Sequence, residues 1–336
     1  MKIPSFTGLC ATLSVCAITV GALSTAANAQ QAPESVSAND FIALFEKLGG
    51  KHAGFRKAHA AGVCATATFV PNEQAKAYSN SVLFEQESVD AIVRFSIGGP
   101  NPLADERSSG TRGVGIQLNL PNGVKHNITG NNTPFFTGKD PETFFGFLQT
   151  LLPNEEGEVD RQATGAYIAA NPSVQNALAW SQSHPLSTSY ARDTYFGIHT
   201  FYMQDESGEL TKFKWTLRPD LGEEHLEKSQ TESLPEKYLE QRLLQDMEDS
   251  TVSFTLVATI GEDEDEALNP SIAWPEDRTE LTLGRLTLNT AGGDSCKPIN
   301  FDPNVLTTGF KASDDPVLKM RSPAYGISFG KRLSNQ

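Results

Sequence analysis

An α+β fold built around an antiparallel sheet that closes into a barrel is predicted by three observations. Short β-rich segments recur at turn-separated spacing, helical periodicity appears between and after them, and a barrel removes the open edges such strands would otherwise expose. The chain of 336 residues, 38% apolar, is long enough to bury a large core. No internal repeat or heptad pattern is present. With 27 basic against 41 acidic residues and a formal charge of −14, the composition argues against nucleic acid or an anionic membrane surface as partner.

The first residues read as an address. Lys2 supplies a short positive region, Leu9 to Leu23 is an apolar and small-residue run too short for a membrane span, and Ala27-Asn28-Ala29 is a cleavage site. Residues 1–29 are therefore expected to be a signal peptide, and the mature chain, beginning near Gln30, to be periplasmic or secreted with no membrane attachment. Residues 30–38 are polar and expected to be a disordered leader, followed by a single domain over 39–336. A helix is predicted from Asn39 or Asp40 as cap through Phe41, Leu44, Phe45 and Leu48, stopped by Gly49-Gly50.

Strands follow at about Val63 to Val70, Ile92 to Ile97, Gly113 to Leu120 and Val124 to Ile128. The second puts Arg94 and Ser96 on one face and Val93, Phe95 and Ile97 on the other, so one sheet face is polar where a ligand could lie. Helices are predicted at Pro141 to Leu152, Gly157 to Ala170, Ser173 to Ser183 and Ser233 to Met247. Further strands are predicted at Tyr195 to Met203, Leu210 to Leu217, Thr251 to Ile260 and Thr279 to Leu288. The five acids of Glu262 to Glu266 are read as a solvated loop without a metal. Cys10 and Cys16 leave with the leader, and Cys64 and Cys296 can then bridge in an oxidising compartment or remain free thiols.

Three places carry chemistry. In Arg321-Ser322-Pro323-Ala324-Tyr325 and on to Arg332, offsets of four and eleven residues put two guanidiniums and a phenol on one helical face. Pro323 strains that helix by removing a hydrogen bond. Positive charge beside a phenol favours tyrosinate, and tyrosinate is an iron ligand. His59 stands at a strand entrance, three residues after Arg56, where a histidine serves either as a hydrogen-bonded structural group or as a base. Asn131-Asn132-Thr133-Pro134-Phe135-Phe136 places amides beside an aromatic pair. It also contains a glycosylation sequon, as does Asn127-Ile128-Thr129.

Together these segments resemble the catalase family. The Arg-x-x-x-Tyr segment and the later arginine are similar to its proximal haem helix, Asn131-Asn132-Thr133-Pro134 to its distal asparagine motif, and Arg94-Phe95-Ser96 to its propionate-binding strand. Gly197-Ile198-His199-Thr200-Phe201 and Phe301-Asp302-Pro303 follow in the family's order, and the similarity runs from about residue 40 to Gln336. The resemblance implies a barrel of about eight strands with surrounding helices and a C-terminal proximal helix. It implies a haem, expected to be haem b, with Tyr325 as the iron ligand, His59 and Asn131 as catalytic residues, and Arg56, Arg94, Ser96, Phe136, Phe144, Arg321 and Arg332 at the haem. His199 and Asp315 are implied as supports, Asp315 as the partner of Arg321.

Departures refine that reading. Ordinary catalases continue past the tyrosine helix, whereas this chain stops four residues after Arg332, and Thr137 occupies a usual phenylalanine position. Exported short members are described as catalase-related peroxidases. The expected function is a haem-dependent peroxidase reducing hydrogen peroxide, and organic peroxides besides, with a small-molecule electron donor. The alternatives are a true dismutating catalase, a fatty-acid hydroperoxide isomerase and a non-enzymatic haem carrier. Oligomeric state stays open.

Overall fold

The computed structural model describes residues 35–108 and 110–336. The signal peptide read at 1–29 and the leader residues up to 34 lie outside the described residues. Residues 36–336 form one compact unit. Helix α1 (Ala38–Gly49) starts earlier than predicted because Ser37 is its cap. The Ser37 hydroxyl accepts from the Asp40 backbone N–H at 3.3 Å, and the Asp40 carboxylate accepts from the Ser37 N–H at 2.9 Å. Such a reciprocal box satisfies two orphan donors where a lone Asp cap satisfies one.

Strands β1 (Gly62–Pro71), β2 (Val89–Ile97), β3 (Arg112–Asn119) and β4 (Lys125–Asn131) form an antiparallel meander. Next come β5 (Tyr195–Phe196), β6 (Phe201–Gln204), β7 (Leu210–Pro219), β8 (Ser253–Ile260), β9 (Glu280–Ala291) and β10 (Phe310–Ala312). The ring β7-β5-β4-β3-β2-β1-β9-β8 closes through the β7–β8 pairing into an eight-stranded antiparallel barrel, with β6 and β10 extending it at one end. The predicted strand Tyr195 to Met203 is in fact two, since residues 197–200 leave the sheet. A Cβ at Gly197 would lie 2.3 Å from the Trp215 indole, so only glycine passes there. That break swings Ile198 and His199 out of the ladder and into a cavity wall.

The predicted alternation of β2 is realised. Val93, Phe95 and Ile97 are buried in the barrel core, where Phe95 stacks on Tyr190 at 5.4 Å and lies 6.0 Å from Phe254. Arg94 and Ser96 point the other way. Helices α2 (Pro141–Thr150), α3 (Arg161–Ala170), α4 (Pro172–Ser183), α5 (Lys228–Ser233), α6 (Leu239–Asp249) and α7 (Pro316–Leu333) surround the barrel. The helix predicted over Ser233 to Met247 begins later, as α6 at Leu239: Ser233 ends the short α5, and Pro235, which has no N–H to donate, cannot continue it. The new N-terminus of α6 is met by Glu106, whose carboxylate accepts from Tyr238 N at 2.7 Å and Leu239 N at 2.8 Å. The acidic run is not all solvated either: Asp265 is buried and bound by Arg278 at 2.8 and 3.0 Å.

Candidate active site

On the polar outer face of β2, β3 and β4, beneath α1, α2 and α7, lies a cavity of about 440 Å³. That is the size of a cofactor site. Helix α7 presents Val317, Met320, Arg321, Ala324, Tyr325, Ser328, Phe329 and Arg332 to it, an unbroken stripe at helical spacing. Pro323 does not interrupt the helix. It and Lys319, whose carbonyl loses its intrahelical donor to the proline, both sit on the exposed face, where water can replace the bond. The Arg321 guanidinium donates to the Tyr325 phenol oxygen at 2.7 Å and lies 5.3 Å over its ring.

The facing wall is built from strand ends. His59 occupies the bend before β1 with φ 49°, a left-handed conformation uncommon for a side-chain-bearing residue. Strand β2 holds that bend at three points. Arg94 Nη2 donates to Ala60 O at 3.0 Å, Ile97 N to Ala61 O at 3.2 Å, and Ser96 Oγ meets His59 Nδ1 at 3.1 Å. Ser96 donates its own hydrogen to Gly113 O at 3.5 Å, so its oxygen accepts from Nδ1–H and leaves His59 Nε2 as the free base. Burial, with Arg94 and Arg321 nearby, pushes His59 down to about 4. It is therefore neutral at pH 7. Gly113 makes this contact possible, since a Cβ there would stand 2.7 Å from the imidazole.

Asn131 ends β4, paired with Gly113 and Phe196. Its amide oxygen accepts from Thr133 N at 3.0 Å and Thr133 Oγ1 at 2.6 Å, which leaves the NH₂ as the group to offer a ligand. The competing sequon at Asn127 is spent on structure: that side chain is buried and donates to Asn300 O and Asp302 O. Phe136 and Phe144 pack 4.6 Å apart on the same wall, with Phe41 6.0 Å from Phe144. Thr137, at the position where a phenylalanine is usual, also lines the cavity.

One predicted pairing is corrected. Asp315 does not pair with Arg321; its carboxylate accepts from His199 Nδ1 at 2.6 Å and caps α7 through Val317 N at 2.8 Å and Leu318 N at 3.4 Å. The N-terminus of a helix is the better anion site, and the broken strand brings His199 to it. Burial outweighs the aspartate and pushes His199 down to about 4. Its Nε2 is buried without a partner.

Three further cations converge on the cavity. Arg56 donates to Cys296 O at 3.1 Å and Ile299 O at 2.8 Å, Arg332 to Ile299 O at 3.1 Å, and Arg94 to Ala60 O. Among the described residues none of the three pairs with a carboxylate, and Arg332 Nε is buried with no partner. Burial and the like charges of Arg94 and Arg332 push Arg56 down to about 8, while burial brings Arg94 down to about 10. Guanidiniums so placed remain charged, and they call for anionic groups from a ligand. An apolar slot between aromatic walls, a phenol on one side, an imidazole on the other and arginine forks at an edge fit a planar dianionic group with a central metal, which is the description of haem.

Every residue expected at the site thus lines the cavity except Asp315, which acts behind His199. Several residues were missed. Thr133 and Thr129 were read only as motif or sequon members and Ser328 not at all, yet all three line the cavity, where Thr129 Oγ1 donates to Phe301 O at 2.8 Å. Phe41, Phe45 and Leu48 read as an ordinary core stripe but form cavity wall. The bridge left open is made: Cys64 and Cys296 are disulfide-bonded, with Cα atoms 5.2 Å apart.

Comparison with known proteins agrees with this arrangement. Residues 24–336 match the Catalase family model. The chain is 35% identical over 305 residues to a catalase-related peroxidase of Synechococcus elongatus, covering 90% of each. It is 28% identical to a catalase-related peroxidase of Mycolicibacterium paratuberculosis, over 83% of this chain and 90% of that one. Among solved structures, a fungal catalase superposes with a TM-score of 0.75 at 20% identity, and catalase A from Saccharomyces cerevisiae with 0.75 at 19%. This chain spans only 60% and 62% of those two, over 84% of its own length.

Proposed function

Since the chain belongs to the catalase family, we propose that it is a haem-dependent peroxidase that reduces hydrogen peroxide, and organic peroxides besides, with a small organic electron donor. One observation carries the reading: Tyr325 with its arginine on α7, neutral His59 with Asn131 at the strand ends, and three arginines without a carboxylate partner among the described residues all line one cavity. Two relatives of nearly the same length that carry the name catalase-related peroxidase favour this over a dismutating catalase.

Haem b, held through its iron by Tyr325 and through its propionates by Arg56, Arg94 and Arg332, would supply the redox chemistry that cleaves the peroxide O–O bond. Phe136 and Phe144 would confine the macrocycle. His59 Nε2, free to act as a base, would take a proton from the bound peroxide and return it to the oxygen that leaves as water. Ser96 keeps the tautomer that makes Nε2 available. The Asn131 NH₂ holds the peroxide in line. Arg321 keeps the Tyr325 oxygen hydrogen-bonded and steady.

We further propose that residues 1–29 direct export, that 39–336 is the haem-binding domain, and that the mature protein works in the periplasm or outside the cell. A disulfide suits such an oxidising compartment. The deciding experiment is a visible spectrum of the purified protein, followed by dye oxidation with hydrogen peroxide by wild type and His59→Ala. A tyrosinate-ligated haem spectrum and a collapse of dye oxidation in the variant are expected. A haem spectrum without turnover would favour a carrier, oxygen release without dye oxidation a catalase, and rearrangement of a fatty-acid hydroperoxide without a reductant an isomerase.

A further inference from the structure

The connection from β9 to β10 is long and irregular, yet it supplies the carbonyls that aim two of the three cavity arginines. Cys296 O and Ile299 O both accept from Arg56, and Ile299 O also accepts from Arg332. The end of the loop that carries these carbonyls has no strand or helix, and its backbone makes local turns, Lys297 N to Asp294 O at 2.9 Å and Ile299 N to Cys296 O at 3.2 Å. Residues 300–302 are held by Asn127 and Thr129, whose side chains donate to their carbonyls; the stretch before them is held by Cys296. It is bonded to Cys64 in β1, its backbone N–H donates to Cys64 Sγ at 3.2 Å, and the chain just before it is tied by Gly292 N to Cys64 O at 2.8 Å. Cys64 in turn pairs across the ladder with Arg94, the third cation.

The bridge therefore joins the strand pair that carries Arg94 to the loop that holds Arg56 and Arg332. Both sulfurs sit in a small apolar cluster with Phe301, against which Tyr325 packs, and Arg56 lies 5.7 Å over the Phe301 ring. We propose that the Cys64–Cys296 disulfide is a positioning element of the anion cradle: it sets the spacing of the three guanidiniums and so governs how tightly the haem propionates are held. This rests on the haem reading for its ligand but not for its mechanics. The cysteines touch no reacting atom and act only through the carbonyls of residues 296 and 299.

The test compares wild type with Cys64→Ser/Cys296→Ser, and with wild type gently reduced by dithiothreitol in case the variant folds poorly. Arg56→Lys, bridge intact, serves as a mimic, because lysine cannot bond both carbonyls in the guanidinium's planar fork. Haem loss is followed by transfer to apomyoglobin well below each protein's melting temperature, and hydrogen exchange at residues 296–301 is followed in the haem-free chains. Haem should leave about tenfold faster from the bridge-free protein and from Arg56→Lys, the worth of roughly one charge-assisted hydrogen bond. Residues 296–301 should lose protection only where the bridge is open. A bridge that merely stabilised the fold would lower the melting temperature and leave haem loss below it unchanged, which overturns the proposal. So does unchanged exchange at 296–301. Wild type that takes up no haem would instead sink the peroxidase reading, and the exchange comparison would still decide whether the bridge anchors the loop.

Discussion

Arg278 and Arg56 are both shielded by the fold, but they sit in opposite electrostatic surroundings. Arg278 is ringed by acids: Asp265 at 2.8 Å, Glu262 at 3.3 Å, Asp277 at 3.4 Å and Glu264 at 3.5 Å, which raise its pKa. Among the described residues Arg56 donates to backbone carbonyls and meets no carboxylate, and burial together with Arg94 and Arg332 pushes its pKa down to about 8. A guanidinium surrounded by carboxylates has its partners in the chain already and braces the scaffold. One crowded among like charges beside a cavity is stable only with an anion from outside, so unmet charge separates the ligand site from the framework.

The buried histidines repeat the lesson. Burial pushes both His59 and His126 down to about 4. His126, however, packs 4.7 Å from Phe310 and accepts from Thr307 N at 3.3 Å, inside the barrel wall, while His59 turns a free ring nitrogen to the cavity. A similar downward shift thus accompanies unequal roles.

The sharpest way to break this contrast is His59→Ala. Peroxidase turnover should fall roughly 10²- to 10⁴-fold, the range for losing a positioned general base, with the haem spectrum retained; steady-state dye oxidation reads it. A fall below threefold would return His59 to the structural class of His126. Next in size, Arg56→Ala/Arg332→Ala should weaken hemin binding roughly a thousandfold, as expected for two lost charge-assisted bonds, measured by spectral titration.

Acid should affect the two histidines alike in stability. For His126 the unfolded chain binds the extra proton between pH about 6.5 and the folded value of about 4. Its contribution is whole above that window and fades as the pH falls through it, by on the order of 3 kcal/mol at most. Urea melts at pH 7 and pH 4.5 check this, and His126→Gln should flatten the difference. The smallest effect belongs to Arg278→Ala, which should lower the melting temperature by a few degrees and leave hemin affinity within about twofold. Equal loss of haem from Arg278→Ala and Arg56→Ala would erase the distinction between the two kinds of arginine.

Much of the architecture follows from local pattern. Alternation placed Arg94 and Ser96 opposite Val93 and Phe95, and helical offsets put Arg321, Tyr325 and Arg332 on one face, because side-chain direction in a strand or helix depends on spacing alone. Motif order was enough to name the family and eleven of the residues that line the cavity. Other features needed the folded chain. The partner of Asp315, the break that frees His199, the Cys64–Cys296 bridge and, among the described residues, the absence of acids paired with Arg56, Arg94 and Arg332 all depend on residues distant in sequence. Charge compensation and pairing act through space at a few ångströms, and which groups come that close is decided by barrel closure, not by anything written within one segment.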